Sequence, residues 1–259
     1  MNELVSIVMP SYNTARFIEE TIRSVMAQTY ENWELIIVDD CSKDNTDEVV
    51  APFLADERIK YIKNEVNSGA AVSRNRALRE ATGKWIAFLD SDDLWEPEKL
   101  EKQIAFMKEN GYAFSYTDYM IQLNGEWLPY IYTGPRVVTR RKMYNYCYFS
   151  TITVMYDREK IGLIQIENLR KNNDYAMWLQ AIEKSKCYRL PECLSYYIKH
   201  EGSVSSGSKF KLIKWHYILY KKGLHKNTFV SVVLTARNLF YGVFKKLFYK
   251  KRTTVIPKI

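Results

Sequence analysis

The sequence predicts an α/β protein built around a mostly parallel β-sheet, and two features of the chain carry that prediction. Short, almost continuous apolar runs, typical of strands buried on both faces, occupy residues 4–10, 33–38 and 85–89. Segments with apolar residues at helical spacing separate or follow these runs, at 15–28, 46–54 and 68–81. Strands that alternate with helices in this way indicate βαβ units and therefore an open, largely parallel sheet flanked by helices.

The remaining elements follow in chain order. A short strand is predicted over 58–62, a helix over 97–110 that stops at Gly111, and a strand over 112–117. The Asn124-Gly125 pair, within 120–131, is a strong hairpin signal. The last predictions before the C-terminal region are a strand over 151–156, a helix over 172–183 and two short strands within 185–197 around Pro191.

Polar residues follow three of the predicted strands directly. In a parallel sheet, ligands bind at the carboxyl ends of the strands, so these residues are predicted to share one site. They are Tyr12 and Asn13 after the first strand, Asp39 and Asp40 at the end of the second, and Asp90, Ser91, Asp92 and Asp93 after the run 85–89.

Asp90 and Asp92 are candidate metal ligands. Residues i and i+2 of an extended chain point to the same side, and carboxylates crowded at the end of a buried strand need a positive partner. Mg²⁺ and Mn²⁺ prefer oxygen ligands, particularly where phosphates complete the coordination shell. The alternative is a solvated acidic turn that caps the helix beginning near Pro97.

Composition and motifs argue against several classes of protein. The 47% hydrophobic and 26% charged content is ordinary for a soluble globular protein, and the N-terminus lacks the pattern of a signal peptide. No GxGxxG or GxxxxGK[ST] motif occurs, which disfavours dinucleotide and P-loop sites. Zinc and a disulfide framework are poorly supported and a reducing cytosol is favoured, because the four cysteines are widely spaced, at Cys41, Cys147, Cys187 and Cys193.

The net charge of +8 is concentrated at the C-terminus and points to an anionic partner. Apolar and aromatic residues over 210–220 and 229–249 are interleaved or flanked with Lys and Arg, so a membrane-spanning helix is disfavoured. This pattern fits a helix lying on an anionic membrane surface. The alternative is a helix that covers the sheet domain or pairs with a second subunit.

Six segments, in this order and spacing, resemble the inverting family-2 glycosyltransferases with a GT-A fold, and the resemblance covers about residues 4–207. They are VSIVMPSYN, ELIIVDDCSKDNT, NSGAAVSRNRAL, GKWIAFLDSDDLW, NDYAMWL and YYIKHEGSVS. The resemblance implies a GT-A domain over 1–207, with a nucleotide-sugar half at about 1–117 and an acceptor half at about 118–207. Residues 208–259 would form a basic, amphipathic, helical C-terminal appendage.

The resemblance also assigns a nucleotide site. Pro10, Tyr12 and Asn13 would border the base, with Tyr12 offering an aromatic face. Asp40 matches the family carboxylate that contacts uracil, and Asp39 would lie beside the ribose. For one of these two aspartates, the alternative is a cap for the turn and the following helix.

A metal and diphosphate site is implied by the same resemblance. Asp90-Ser91-Asp92 matches the DxD motif of the nucleotide-sugar site, with Asp90 near ribose and metal and Asp92 as the principal ligand of Mn²⁺ or Mg²⁺. Arg74 matches a basic residue near the diphosphate, and the alternative is a surface arginine. His200 falls where some relatives place a histidine near the diphosphate or metal, and the alternative is a structural histidine.

Asp174 matches the general base of the family. An inverting transfer needs a carboxylate that removes the proton of the acceptor hydroxyl as the new bond forms. The alternative is a carboxylate that only stabilises the N-terminus of the helix. Many relatives have an acidic residue where this chain has Asn173, and Asp93 is expected to cap or orient the next helix.

The expected enzyme is an inverting glycosyltransferase that moves a sugar from a UDP-sugar to a hydroxyl of a glycan or lipid-linked saccharide. Bacterial polysaccharide or glycolipid assembly is what the resemblance implies, in the cytoplasm at the inner face of the membrane. No nucleic-acid partner is expected, and a homodimer is an option. The alternatives are a non-catalytic nucleotide- or membrane-binding scaffold and a sugar nucleotidyltransferase, although the latter would need a Gly-rich basic loop that the chain lacks.

Overall fold

The computed structural model describes residues 3–200 and 209–257. Its first half alternates strands and helices: β1 (Val5–Ser11), α1 (Ile18–Met26), β2 (Trp33–Asp39), α2 (Thr46–Val50), β3 (Ile59–Lys63), α3 (Ala70–Glu80) and β4 (Trp85–Phe88). β1 pairs in parallel with β2 and β4, and β2 pairs in parallel with β3, which gives the order β3–β2–β1–β4. The carboxyl ends of these strands therefore reach the same edge of the sheet, as predicted.

The second half adds antiparallel strands. It contains β5 (Leu94–Trp95), α4 (Lys99–Asn110), β6 (Phe114–Leu123), β7 (Glu126–Tyr132), β8 (Val137–Val138), α5 (Arg140–Asn145), β9 (Val154–Asp157), α6 (Arg158–Ile161), α7 (Asn173–Lys184) and β10 (Cys187–Lys199). β9 lies between β4 and β6 and runs antiparallel to both, and β7 is antiparallel to β6. β10 runs parallel to β6 and antiparallel to β5 and β8. The sheet is thus parallel in its first half and mixed overall.

Both faces of the parallel strands are buried, which is why their sequences are nearly continuously apolar. In β1, Val8 packs into the cluster that contains residues of α3 and α7. Ile7 and Met9 point to the opposite face, into the cluster that contains residues of α1 and α4. Each such side chain contributes about 1.5–3 kcal/mol by leaving water, so the sheet is fixed between two helical layers.

Two turn predictions are confirmed. Asn124 and Gly125 both have positive φ, +50° and +86°, which suits the tight hairpin between β6 and β7. Gly111 ends α4 in the left-handed conformation, with φ +68°.

Three element predictions were wrong in detail. The region 185–197 forms one strand, β10, whose register shifts between Leu190 and Cys193, so an irregularity accommodates Pro191 without breaking the strand. The strand predicted over 151–156 begins only at Val154, after a 3₁₀ turn at Thr151–Thr153. The helix predicted over 46–54 ends early and continues as the 3₁₀ segment Ala51–Ala55, since a proline cannot donate to an α-helical ladder.

The C-terminal region contains α8 (Lys209–Ile218), a π-helical turn (Leu219–Gly223), α9 (Thr228–Phe248) and β11 (Lys250–Arg252). β11 pairs with β7, and the buried side of α9 packs against the sheet domain through residues such as Leu234 and Asn238. The other side of α9 exposes a row of large apolar residues: Phe229, Val232, Val233, Phe240, Val243, Phe244 and Phe248. Among the helices within residues 3–200 and 209–257, none is long and apolar enough to cross a membrane.

Candidate active site

The loops after β1 and β2 are tied together. The backbone N–H of Asn13, at φ +53°, donates to Ser42 Oγ over 2.8 Å, and its side-chain oxygen accepts the N–H of Lys43 over 2.7 Å. Pro10 is half-buried at the end of β1, whereas Tyr12 is 45% exposed. The loop is therefore held by its backbone and by Asn13, and it presents the ring of Tyr12 to solvent.

Asp39 and Asp40 are both buried, and both accept hydrogen bonds from backbone N–H groups. Asp39 accepts hydrogen bonds from the N–H and the hydroxyl of Ser42, which closes the turn after β2. Asp40 accepts the N–H groups of Ser68 (2.9 Å) and Gly69 (2.6 Å) and so caps the N-terminal end of α3. The capping alternative therefore describes Asp39 for the turn, whereas Asp40 caps α3 rather than the following helix α2. The contacts with uracil and ribose remain predictions.

Arg74 joins two parts of the site that are far apart in the sequence. It is buried, and its two terminal nitrogens donate to Asp90 Oδ1 and to Asn173 Oδ1, each over 2.5 Å. Burial lowers the pKa of Arg74, but the charges of Asp90, Asp174 and Asp92 outweigh it and raise that pKa above its usual value. The surface-arginine alternative is wrong, because this cation lies among the three carboxylates.

The turn after β4 places Asp92 against His200. Asp92 Oδ2 and His200 Nε2 are 3.1 Å apart, and the imidazole stacks on Phe17 with ring centroids 4.4 Å apart. Burial and the neighbouring Asp90 raise the pKa of Asp92, whereas the hydrogen bond from His200 lowers it. Ser91 is buried between the two carboxylates, and the turn concentrates negative charge beside one imidazole.

Asp93 does not cap the next helix, contrary to the prediction. α4 begins at Lys99, whereas Asp93 is fully buried and accepts the backbone N–H of Ile198 over 2.8 Å. Burial and the charge of Asp92 raise the pKa of Asp93 well above its usual value. Buried polar groups require hydrogen-bond partners, and this bond satisfies both the N–H of Ile198 and Oδ1 of Asp93. Asp93 therefore holds the end of β10, two residues before His200.

Asp174 lies in the first turn of α7, where the helix dipole favours a negative charge. Its Oδ2 accepts the hydroxyl of Thr151 over 3.1 Å. Asn172, two residues before Asp174, is the N-cap of α7. Its φ of +60° turns the backbone sharply, so that the helix begins at Asn173. The base candidate is thus held by backbone geometry and by one side-chain hydrogen bond.

Three contacts of the site were missed by the sequence analysis. Asn173 accepts from Arg74, and Thr151 donates to Asp174. His216, in α8, lies 3.5 Å from the amide nitrogen of Asn172; burial lowers its pKa although Asp174 raises it. Only the position of Asn173 beside the base candidate was a usable signal, since the other two lie in segments without a motif.

The residues fit a divalent cation that shares its coordination with a substrate. Within residues 3–200 and 209–257, no group of three or more His, Cys, Asp or Glu side chains is arranged to hold a metal by itself. Mg²⁺ and Mn²⁺ at phosphate sites use one or two carboxylates and complete the shell with substrate oxygens. Burial and, after it, the charge of Asp90 raise the pKa of Asp92, and a cation bound beside this carboxylate would offset both effects.

An open cleft of about 1330 Å³ leads to this turn. Asp92 and His200 lie in its wall, together with Asn13 and Phe17 from the segment after β1 and Trp127 from the β6–β7 hairpin. Its polar and aromatic lining suits a small-molecule ligand, and it connects the turn that carries Asp92 to solvent.

A family profile decides the class of the protein. The profile described as Glycosyl transferase family 2 matches residues 6–161, which is more than half of the chain. The chain belongs to glycosyl transferase family 2. This glycosyltransferase is 42% identical over 222 residues to the putative teichuronic acid biosynthesis glycosyltransferase TuaG of Bacillus subtilis, a match that covers 85% of the chain and 88% of TuaG. It is 41% identical over 214 residues to the UDP-Glc:alpha-D-GlcNAc-diphosphoundecaprenol beta-1,3-glucosyltransferase WfgD of Escherichia coli, covering 82% and 83% of the two chains.

Solved structures show the same fold. S. aureus TarS 1–349 in complex with UDP-GlcNAc matches with a TM-score of 0.71 at 22% identity, over 92% of this glycosyltransferase and 71% of the TarS chain. The mannosyltransferase PcManGT from Pyrobaculum calidifontis, in complex with GDP-Man and Mn²⁺, matches with a TM-score of 0.61 at 17% identity, over 94% and 76%. The predicted GT-A fold, the family and the enzyme class are therefore confirmed: the chain transfers a sugar from a nucleotide sugar.

Proposed function

We propose that this glycosyltransferase inverts the anomeric centre of a UDP-sugar and passes the sugar to a hydroxyl of a lipid-linked saccharide in cell-surface glycan assembly. The observation that carries the proposal is the junction at Arg74, which bonds both Asp90 of the DxD turn and Asn173 beside Asp174. In such a reaction the sugar donor and the base must face the same reacting carbon. Through Arg74, the candidate donor-site residue Asp90 lies close to Asn173, the neighbour of the candidate base Asp174.

The donor end of the site would be formed by the loops after β1 and β2. The exposed ring of Tyr12 offers a face for the base, and Pro10 and Asn13 would shape its surroundings. Asp39 and Asp40 would border ribose and uracil while they hold the turn and α3. The choice of UDP is supported by the UDP-GlcNAc complex of TarS and by the UDP-Glc in the name of WfgD.

A divalent ion, Mn²⁺ or Mg²⁺, would be held by Asp92, with Asp90 and His200 beside it. When bound, it supplies positive charge that stabilises the departing nucleoside diphosphate. Arg74 adds a fixed positive charge at the same turn and keeps the side chain of Asp90 in one orientation.

Asp174 would act as the general base. Its carboxylate would accept the proton of the acceptor hydroxyl while that oxygen attacks the anomeric carbon on the face opposite the diphosphate. Thr151 holds one of its oxygens, so the other can be turned toward the acceptor. Asn173, being neutral, leaves Asp174 as the single carboxylate at the start of α7.

The lipid-linked acceptor is supported by the diphosphoundecaprenol in the name of WfgD and by the exposed apolar row on α9. We propose that residues 1–207 form the catalytic domain and that 208–259 bind the cytoplasmic face of an anionic membrane peripherally. Lysines near both ends of α9 would contact the lipid phosphates.

The deciding experiment is UDP, GDP or dTDP release from a panel of nucleotide sugars, with Mn²⁺, with Mg²⁺ and with chelator, in the presence of membrane lipid extract. We expect metal-dependent release from one UDP-sugar, lost in Asp92→Asn. We expect Asp174→Asn to lower turnover by at least about a hundredfold while UDP binding is retained. Asp56→Asn, which changes only the pairing with Arg58 at the opposite edge of the sheet, is the matched control.

Each other result has a definite meaning. Nucleotide binding without release from any donor would favour a binding scaffold and reject the transferase. Full activity of Asp174→Asn would remove Asp174 from the base role. Release that is insensitive to chelator would reject the divalent ion.

A further inference from the structure

The groove between α8 and α9 is lined almost entirely by apolar side chains. It encloses about 500 Å³, and the residues along it include Ile213, Lys214, Tyr217, Val232, Ala236 and Leu239. Ile213 and Tyr217 are one helical turn apart on α8, and the three residues of α9 follow one another at helical spacing. The groove therefore runs along both helices rather than crossing a single turn.

The groove lies within a larger apolar and basic surface. Leu212 and Val233 are nearly half exposed beside it, and Phe240 is 61% exposed farther along α9. Lys214 lines the groove, and the exposed Lys221 follows in the turn after α8. Such a surface is costly to leave in water, and it matches a ligand with a hydrocarbon part and a phosphate part.

The inner sides of the same two helices hold the helix that carries the base. His216 lies 3.5 Å from Asn172, and Asn238 donates to the hydroxyl of Tyr175 over 3.1 Å. Asn172 and Tyr175 flank the base candidate Asp174. A ligand in the groove is thus separated from the start of α7 by the thickness of one helix, about 10 Å.

We propose that this groove seats a hydrocarbon chain of the lipid that carries the acceptor saccharide, with its phosphate near Lys214. The inference rests on the lipid-linked acceptor of the proposed function. A chain seated here would fix the distance between the lipid phosphate and Asp174, and so present the attached saccharide to the base. The expected occupant is a single isoprenoid chain, because the groove offers about 500 Å³ and is bounded by two helices.

The test uses a polyprenyl phosphate that carries a diazirine on its chain, presented in detergent micelles to the full-length protein. We expect cross-links to map to peptides that contain Tyr217 or Ala236. Ala236→Phe fills the groove and should reduce labelling about tenfold, whereas Val233→Phe adds the same ring to the same helix outside the groove and should not. UDP binding and thermal unfolding show that each variant is folded.

Three results would overturn the proposal. Labelling that maps elsewhere, or that is equal in the two phenylalanine variants, rejects the groove as the chain site. Competition by phosphatidylglycerol as strong as that by unlabelled polyprenyl phosphate would make the groove a general membrane contact. Failure of the proposed function is distinguishable, because it would appear as no release from any donor, whatever the labelling.

Discussion

Arg74 balances the charge of the candidate active site at the level of single side chains. Its guanidinium is 8% exposed and is shared between Asp90 on one side and Asn173 on the other. A guanidinium presents its donors in a rigid planar fork, and here two different nitrogens reach the two partners, which the single nitrogen of lysine does not reproduce. Arg74 therefore helps to orient both partners, and Asn173 is held in addition because its amide donates to the carbonyl of Leu169 over 3.3 Å.

We expect Arg74→Met to lower the free energy of unfolding by about 3 kcal/mol, because it leaves Asp90 without its cation in a largely buried place. Arg74→Lys keeps the charge but loses the fork, so its stability should fall less while its turnover still drops about tenfold. Urea unfolding and nucleotide release measure the two effects. A lysine variant with wild-type turnover would show that charge alone is sufficient.

Asp93 belongs to the acidic turn after β4 but stabilises a strand that is distant in the sequence. Its carboxyl group is buried and holds the N–H of Ile198 at the end of β10. The acidic turn after β4 thereby supplies a ligand candidate, Asp92, and an anchor for the strand that leads to His200. Neighbouring aspartates in one motif thus have different environments and different tasks.

At the scale of elements, the N-terminus of α7 is held by three neighbours. The hydroxyl of Tyr175 donates to the carbonyl of Met143 in α5 over 2.5 Å and accepts from Asn238 in α9. Tyr220, in the turn after α8, lies 3.4 Å from the same hydroxyl. All three side chains, Tyr175, Tyr220 and Asn238, are buried, so these bonds are shielded from water and link the C-terminal helices to the base helix.

We expect Asn238→Leu, which has a similar shape, to lower the free energy of unfolding by about 1 kcal/mol. It should lower kcat several-fold and leave the Kd for UDP unchanged, because the lost bond joins α9 to the base helix. Tyr175→Phe should have similar effects. The double variant should lower the free energy of unfolding by less than the sum of the two single changes. Strict additivity would show that the bond does not couple the helices. Asn110→Leu, an equivalent change at the exposed end of α4, is the control.

In the molecule as a whole, the net charge of +8 is concentrated in the C-terminal region, and most of the exposed large apolar residues lie in the same region. Burial on one side of α9 and exposure on the other reconcile the two alternatives of the sequence analysis. One side of α9 packs on the sheet domain, as expected for a covering helix. The other side presents an apolar face, as expected for a helix that lies on a membrane. Membrane binding stays a proposal that this geometry supports.

We expect the protein to float with phosphatidylglycerol vesicles, and the floating fraction to fall as salt is raised. Phe244→Ser with Phe248→Ser should weaken binding more than about tenfold, since each ring would lose about 1.5 kcal/mol or more of apolar burial in the bilayer. Their exposed fractions, 41% and 68%, are matched by Leu54 and Val66, at 43% and 65%, so Leu54→Ser with Val66→Ser is the control. Equal flotation of both double variants would place the membrane contact elsewhere.

The sequence by itself determined the parallel strands, their helices and the location of the polar clusters at one sheet edge. Those features depend on periodicity within about ten residues, which is a local property that the chain displays directly. Hence β1, β2 and β4 were predicted closely, as was the hairpin at Asn124-Gly125. The family resemblance went further and identified the class of enzyme.

Only the tertiary structure decided which side chains meet. Arg74 and Asn173 are separated by 99 positions, and Asp93 and Ile198 by 105, so no local pattern reports their contact. The same holds for α9, whose sequence is apolar on more than one side and therefore leaves open which side is buried. The tertiary contacts select the buried side, where Asn238 donates to the hydroxyls of Tyr175 and Tyr220.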